Sequence, residues 1–168
     1  MWTIYGQDHL LERLEPSLQQ RRQSHAYLLC GPPHVGKMAL AINISQAINC
    51  LEGPGVPCGS CTQCTRIAQG HHADVRVLYP GQGEEFGWPK TMIGLEAIKE
   101  TLRVVNLNPY EGSTSIVIID GAESMSEEAA NALLKTLEEP PPQVMFLLLT
   151  SNEEAVLTTI KSRCQSMT

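Results

Sequence analysis

Short apolar runs alternate along the chain with longer segments in which apolar residues recur every three or four positions. The apolar runs predict buried strands at residues 26–30, 75–79, 115–120 and 144–149, with a further strand beginning at 165. The helical spacing predicts helices at residues 7–22, 37–48, 92–105, 126–137 and 153–160, and a polar, glycine-rich stretch ends at residue 89. Pro16 is expected to kink or split the first helix. This alternation predicts an α/β fold, a three-layer sandwich with a parallel sheet between helices.

A candidate phosphate-binding loop joins the first strand to the second helix. Its sequence is Gly31-Pro32-Pro33-His34-Val35-Gly36-Lys37-Met38, which matches seven of the eight positions of G-x-x-x-x-G-K-[ST]. In that pattern backbone N–H groups surround phosphate oxygens and the lysine adds a positive charge. Met38 stands where a hydroxyl would ligate Mg²⁺, and a thioether is a poor ligand for that cation. The alternative is a plain glycine turn between strand and helix.

Asp120, at the end of the third strand, supplies the second half of a candidate nucleotide site. In phosphate-loop proteins a strand-end aspartate holds the Mg²⁺ shell, and a neighbouring glutamate usually positions the attacking water. The neighbour here is Gly121, and Glu123 lies two residues further on, an offset that we expect to spoil its aim. Thr150 follows the fourth apolar run and either senses a γ-phosphate or caps a turn. The pattern predicts a nucleotide site with impaired hydrolysis and leaves open whether a nucleotide still binds.

Four of the six cysteines crowd into a small glycine- and proline-rich insertion at about residues 50–64. Their C-x7-C-x2-C-x2-C spacing is typical of a structural zinc site, and four thiolates leave no open position for a catalytic water. The alternative, a loop of free thiols, would be liable to oxidation. The nearby His71 and His72 are predicted to be surface-loop residues rather than ligands. The candidate metal ligands are Cys50, Cys58, Cys61 and Cys64.

Charge and hydropathy narrow the classes of partner. The formal net charge of −6 argues against a broad, sequence-independent nucleic-acid surface. No run of 18 apolar residues is present, and the first residues lack a basic segment followed by an apolar one. We therefore expect a cytoplasmic protein with no membrane partner.

Several motifs together resemble one family closely. The run N-A-L-L-K-T-L-E-E-P-P at residues 131–141, the triplet Ser162-Arg163-Cys164, the four-cysteine insertion and Ile119-Asp120 resemble the AAA+ module of bacterial clamp-loader subunits of the DNA polymerase III holoenzyme. The resemblance runs from residue 6 to 164. It implies one AAA+ phosphate-loop domain over residues 1–168, with a zinc module inserted at about 50–64. The lid and the C-terminal oligomerisation domain that usually follow are not expected within these residues.

The resemblance also implies roles for individual residues. Clamp loaders contain ATP-hydrolysing tau/gamma subunits and a non-hydrolysing delta-prime type, the stator, and both Met38 and Gly121 favour the second. Arg163 would be an arginine finger that acts on the ATP of a neighbouring subunit, although spacing alone favours a surface arginine that complements a helix dipole. The four cysteines would bind zinc, and ATP binding is left open. Implied partners are tau/gamma and delta subunits, with the sliding clamp and primer–template DNA reached through the complex.

The residues are also compatible with two enzyme functions. One is a working tau/gamma-type ATPase in which Glu123 or a water replaces the missing groups. The other is a phosphate-loop kinase, which would leave the residues 131–141 and the Ser162-Arg163-Cys164 triplet unexplained. Nucleotide turnover separates these enzymes from the non-hydrolysing subunit.

Overall fold

A computed structural model describes residues 1–81 and 91–168, so most of the predicted glycine-rich stretch lies outside the described residues. Five strands in these residues form one parallel sheet in the order β2-β3-β4-β1-β5. The strands are β1 Ala26–Cys30, β2 Val75–Leu78, β3 Ser115–Asp120, β4 Val144–Thr150 and β5 Gln165–Met167. Because Cys30 pairs with Thr150 and Asp120 with Leu149, the carboxyl ends of β1, β3 and β4 meet at one edge of the sheet.

Six α-helices lie in the described part of the chain, and they mostly confirm the predicted pattern. They are α1 Asp8–Gln19, α2 Lys37–Asn49, α3 Thr62–Ala68, α4 Leu95–Val105, α5 Glu127–Glu138 and α6 Thr158–Lys161. α1 continues through Pro16 as one helix. The single helix predicted at 153–160 is wrong, because a 3-10 turn at Glu153–Ala155 and the short α6 replace it. Among these helices, none combines the length and apolar character needed to cross a membrane.

The sheet is covered on both faces, which confirms the three-layer sandwich. Alternate residues of each strand point to opposite sides: Leu28 joins a core with residues of α4, α5 and α6, whereas Tyr27 and Leu29 join a core with α1 and α2. Both cores consist mainly of aliphatic side chains that are almost fully buried, together with the aromatic rings of Phe146 and Tyr27. A strand buried on both faces has no polar alternation, and this explains why the strands appear in the sequence as continuous apolar runs.

α5 begins as its sequence predicts. The Ser126 side chain accepts a hydrogen bond from the Ala129 N–H at 3.1 Å, and Glu127 and Glu128 lie in the first turn, near the positive end of the helix dipole. The helix ends at Glu138, just before three consecutive prolines that cannot continue it. These signals fix both ends of the helix.

A buried polar network ties α3 to the open edge of the sheet. The Asp74 carboxylate, just before β2, accepts hydrogen bonds from the backbone N–H groups of Tyr110, Glu111 and Gly112 at 2.6–2.7 Å. His72 Nδ1 accepts from the Asp74 N–H at 3.1 Å, so its Nε2 carries the proton and donates to Gln63 Oε1 on α3. His71 is exposed as predicted, but the surface position predicted for His72 is wrong.

His72 makes the stability of this network depend on pH. Burial lowers the pKa of His72, against the opposing charges of Glu111 and Asp74 and with a small contribution from Arg66. A folded-state pKa below the unfolded value means that the unfolded chain binds the proton first as pH falls below about 6.5. We therefore expect the free energy of unfolding to decrease between pH 7 and pH 5, by at most about 1.4 kcal/mol per pH unit from this group.

Urea denaturation at a series of pH values measures that slope. The matched variant is His72→Gln, which keeps a side chain able to hydrogen bond but does not titrate in this range. It should be less stable at pH 7 and should show a shallower slope than the parent chain. Identical slopes in the two proteins would show that His72 does not resist protonation in the folded state.

Candidate functional site

A cavity of about 470 Å³ opens at the edge where β1, β3 and β4 end. It brings together five of the predicted nucleotide-site residues, namely Gly36, Lys37, Met38, Asp120 and Thr150. Pro33, His34, Gly121, Glu123, Leu149 and Ser151 complete its lining. A crevice at the carboxyl ends of parallel strands is the usual ligand position in open α/β sheets, and its lining places a cation, two carboxylates and a helix N-terminus around one space.

The phosphate loop holds its own lysine. Lys37 Nζ donates to the carbonyl oxygens of Gly31 and Pro32, both at 2.7 Å, so a phosphate group would have to replace these two acceptors. Gly36 has a φ of 91°, which turns the chain into α2 and directs the N-terminus of that helix towards the cavity. His34 also has a positive φ, 64°, a conformation that costs a residue with a Cβ. The predicted loop is therefore present. Its backbone is strained at His34, and its lysine is hydrogen-bonded to carbonyl oxygens of the loop itself.

Two carboxylates face the loop across the cavity. Asp120 ends β3, and the next residue, Gly121, has a φ of 89° that starts a tight 3-10 turn. This turn carries Glu123 back to the cavity wall, contrary to the expectation from its offset in sequence. Glu123 Oε1 accepts a hydrogen bond from Ser151 Oγ at 3.4 Å, and its Oε2 is buried with no partner among the described residues. A residue with a side chain would be strained at position 121 whatever its chemistry.

Thr150 lies on the same wall and caps a turn. It is 1% exposed, and its Oγ1 accepts a hydrogen bond from the Asn152 N–H at 3.0 Å. One of its two predicted roles, the turn cap, is therefore realised in the structure. Its place in the cavity lining keeps the hydroxyl near the space where a nucleotide would end, so the phosphate-sensing role stays a prediction.

The four cysteines of the insertion come together away from this cavity. The sulfurs of Cys50, Cys58, Cys61 and Cys64 all lie within 4.8 Å of one another. A tetrahedral zinc ion with bonds of about 2.3 Å places its sulfurs about 3.8 Å apart, and the Cys58 and Cys64 sulfurs are 4.0 Å apart. Backbone N–H groups donate to Sγ of Cys50, Cys58 and Cys61 at 3.2–3.4 Å. This set of donors therefore fits a closed tetrahedral metal site.

The thiols of this cluster differ in acidity. Burial raises the pKa of Cys64 to about 12 and also raises the pKa of Cys50. Hydrogen bonds from the Ser60 and Cys61 N–H groups lower the pKa of Cys58 to about 6. A divalent cation would favour the thiolate form of all four residues, because the ligating species is the thiolate.

Arg163 lies outside the cavity, just beyond the C-terminus of α6. Its Nη2 is 3.0 Å from Glu138 Oε1, and its Nη1 donates to the Thr159 carbonyl oxygen at 3.0 Å and to Ser162 Oγ at 3.2 Å. The Arg163 side chain is 35% exposed. The structure thus shows a surface arginine at a helix end, held by contacts within its own chain.

Comparison with known proteins identifies the family. A family model described as DNA polymerase III, delta subunit, matches residues 6–168. The delta' subunit of Bacillus subtilis DNA polymerase III is 35% identical over 161 residues, which cover 96% of this chain and 46% of that protein. The Escherichia coli delta' subunit is 36% identical over 92% of this chain and 45% of its own length. The tau/gamma subunit of Haemophilus influenzae is 35% identical over 96% of this chain and 22% of its own length.

Solved structures share the fold of this chain. The crystal structure of a DNA polymerase III gamma subunit-related protein from Thermotoga maritima superposes with a TM-score of 0.65 at 25% identity, covering 95% of this chain and 44% of that one. The Thermotoga maritima RuvB Holliday junction branch migration motor shares the fold, with a TM-score of 0.57 at 15% identity over 96% of this chain and 44% of its own. The chain spans less than half the length of the curated relatives named above. Because the family model matches almost all of its residues, the chain belongs to the DNA polymerase III delta subunit family.

Proposed function

We propose that this chain acts in the DNA polymerase III clamp loader as a non-hydrolysing AAA+ subunit. In this role it helps to load the sliding clamp onto primed DNA by completing the ATP site of a neighbouring subunit. The observation that carries the proposal is the composition of the cavity, in which Met38 and Gly121 replace a Mg²⁺-binding hydroxyl and a water-positioning carboxylate. Sequence identity does not separate the delta' and tau/gamma relatives, at about 35% each, so the distinction rests on these two positions.

The loss of Mg²⁺ chemistry follows from the residues themselves. Phosphoryl transfer in phosphate-loop proteins depends on a metal ion held between the loop hydroxyl and the strand-end aspartate. Asp120 is present, but the Met38 thioether is a soft, neutral ligand that suits Mg²⁺ poorly. Lys37 and the N-terminus of α2 still provide positive potential for a phosphate, so nucleotide binding without turnover is compatible with this cavity.

Arg163 is the residue proposed to act on the ATP of the neighbouring subunit. A guanidinium is permanently charged and presents a planar set of donors, which suits it to stabilise negative charge on a transferring phosphoryl group. The side chain is partly exposed and lies outside the chain's own cavity, which supports a role on another subunit rather than on a nucleotide bound here. The partners in this proposal are tau/gamma and delta subunits, with the clamp and primer–template DNA contacted through the complex.

The metal of the cysteine cluster is proposed to be zinc, in a structural role. Four sulfur donors in a closed set are typical of such sites. The cluster is joined to the body of the domain, because Gln46 Nε2 on α2 donates to the Cys64 carbonyl oxygen at 2.9 Å. Cys64 itself is fully buried beside α2. Metal binding would therefore hold the insertion against the helix that follows the phosphate loop.

Glu123 favours a second candidate, a tau/gamma-type ATPase. Its carboxylate reaches the cavity and has one oxygen without a partner in the described residues, so it is the group that would orient a water if hydrolysis occurs. Four proteins distinguish the two functions: the parent chain, Lys37→Ala, Glu123→Gln and Glu128→Gln. The last removes an exposed carboxylate from the first turn of α5 and serves as a matched control.

Equilibrium ATP binding with and without Mg²⁺, together with a turnover assay on the natural full-length chain, tests the proposal. For the parent chain we expect either no binding or binding that does not depend on Mg²⁺, and we expect no turnover by any of the four proteins. Turnover that requires Mg²⁺ and is lost in both Lys37→Ala and Glu123→Gln, but kept in Glu128→Gln, would establish the ATPase instead.

A further inference from the structure

Two motifs that are distant in sequence meet at one ion pair. Glu138 is the last residue of α5, and Arg163 follows the short α6. Arg163 Nη2 and Glu138 Oε1 are 3.0 Å apart, a distance suited to a charge-assisted hydrogen bond. The contact therefore joins the end of the acidic, proline-terminated helix to the arginine that the proposed function assigns to a neighbouring active site.

The guanidinium is occupied on both of its terminal nitrogens. Besides the Glu138 contact, Nη1 donates to the Thr159 carbonyl oxygen at 3.0 Å and to Ser162 Oγ at 3.2 Å. All of these acceptors belong to the same chain, and two of them lie in or next to α6. The side chain thus folds back over its own helix, and a guanidinium in this position cannot give the same hydrogen bonds to a phosphate on another subunit.

We infer that Glu138 is a latch: its carboxylate holds the Arg163 guanidinium in a retracted position until the γ-phosphate of ATP bound to a neighbouring subunit replaces the carboxylate as the acceptor. This inference rests on the proposed role of Arg163 and adds its regulation. Carboxylate and phosphate oxygens both accept hydrogen bonds from a guanidinium, so the exchange replaces one anion by another. Glu138 acts through Arg163 and is therefore a positioning residue, not a catalytic one.

The exposure of the pair makes the exchange feasible. The Arg163 side chain is 35% exposed and the Glu138 side chain is 46% exposed, so water screens their attraction and the pair is weak. The backbone of Arg163 is held more firmly, because its N–H donates to the Ile160 carbonyl oxygen at 3.0 Å and Ile160 is buried. The side chain can therefore swing away from Glu138 while its point of attachment stays fixed.

Glu138→Gln tests the latch, because it removes the charge and preserves the size of the side chain. The matched control is Glu139→Gln, which neutralises the next residue, an exposed glutamate. The first measurement is the rate at which phenylglyoxal, an arginine-selective reagent, modifies Arg163 in the natural full-length chain, followed by peptide mass spectrometry. We expect about a two- to fivefold faster modification in Glu138→Gln, the range implied by a weak exposed pair, and no change in Glu139→Gln.

The second measurement is ATP turnover by the assembled clamp loader containing each variant, with kcat and KM determined separately. Release of the latch should raise kcat about two- to fivefold and lower KM, while the thermal unfolding midpoint of the chain stays nearly constant. If Arg163→Ala lowers turnover but Glu138→Gln leaves kcat unchanged or lowers it, the latch is refuted and the proposed function stands. If Arg163→Ala has no effect on turnover, the proposed function fails and the latch fails with it.

Discussion

Replacing Arg163 with alanine is expected to lower ATP turnover about 10³-fold at the neighbouring active site of the assembled clamp loader. The estimate is the usual cost of removing an arginine finger, which stabilises negative charge on the transferring phosphoryl group. The chain itself should remain folded, because the ion pair that is lost with Glu138 is half exposed and contributes about 1 kcal/mol or less. Single-turnover hydrolysis in a loader whose other ATP sites have been inactivated measures the effect directly.

Two further variants show whether the loss is specific. Arg103→Ala removes another arginine that pairs with a glutamate on a helix surface, at 2.7 Å from Glu100, and it should leave turnover unchanged. Arg163→Lys keeps the charge but loses the planar donor set, so only a small part of the activity should return. Turnover by Arg163→Ala equal to that of the parent would remove the arginine from the mechanism.

Removing the zinc ion proposed for the cysteine cluster should have the largest effect on stability. The binding free energy of a structural zinc ion is also folding free energy, about 10–16 kcal/mol in isolated zinc-finger peptides. In this chain the packing of Ile67 and Cys64, both of which are buried, should still stabilise the segment in part after the metal is removed. We expect a strong chelator to lower the thermal unfolding midpoint by about 10 °C or more, a shift that corresponds to several kcal/mol in a domain of this size.

Metal analysis gives the matching stoichiometry. The parent chain, prepared without chelator, should contain one zinc ion, and Cys61→Ser should lose it along with the response to chelator. Cys30→Ser changes a cysteine outside the cluster and should keep both the metal and the response. An absence of zinc from the parent chain would refute the assignment and leave the proximity of the four sulfurs without an explanation.

The strands, and the edge of the sheet where the cavity lies, were predictable from local patterns and from the order of the elements. β1 and β3 lie at the predicted residues, and Ser126 caps α5 as its sequence indicates. Strands buried on both faces leave continuous apolar runs, and parallel strands place their carboxyl ends together, so the meeting of Lys37 and Asp120 followed from order alone.

The features that the sequence did not predict lack a distinctive local pattern. α3 is only seven residues long and begins inside the cysteine insertion, where glycines and prolines dominate the pattern. His72 is buried and hydrogen-bonded to Gln63 and to the Asp74 N–H, but nothing in the sequence around it distinguishes it from the exposed His71. Glu123 reaches the cavity because Gly121 adopts a left-handed conformation, which a glycine permits but does not require.

The most direct test of the central claim compares two variants of this chain in the assembled clamp loader. Lys37→Ala disables the chain's own phosphate loop, and Arg163→Ala removes the group proposed to act on its neighbour. If the chain is a non-hydrolysing subunit, we expect Arg163→Ala to abolish most turnover at the neighbouring site and Lys37→Ala to leave that turnover nearly intact. The opposite result, with turnover at this chain's own site lost in Lys37→Ala and the neighbouring site unaffected by Arg163→Ala, would identify the chain as an ATPase.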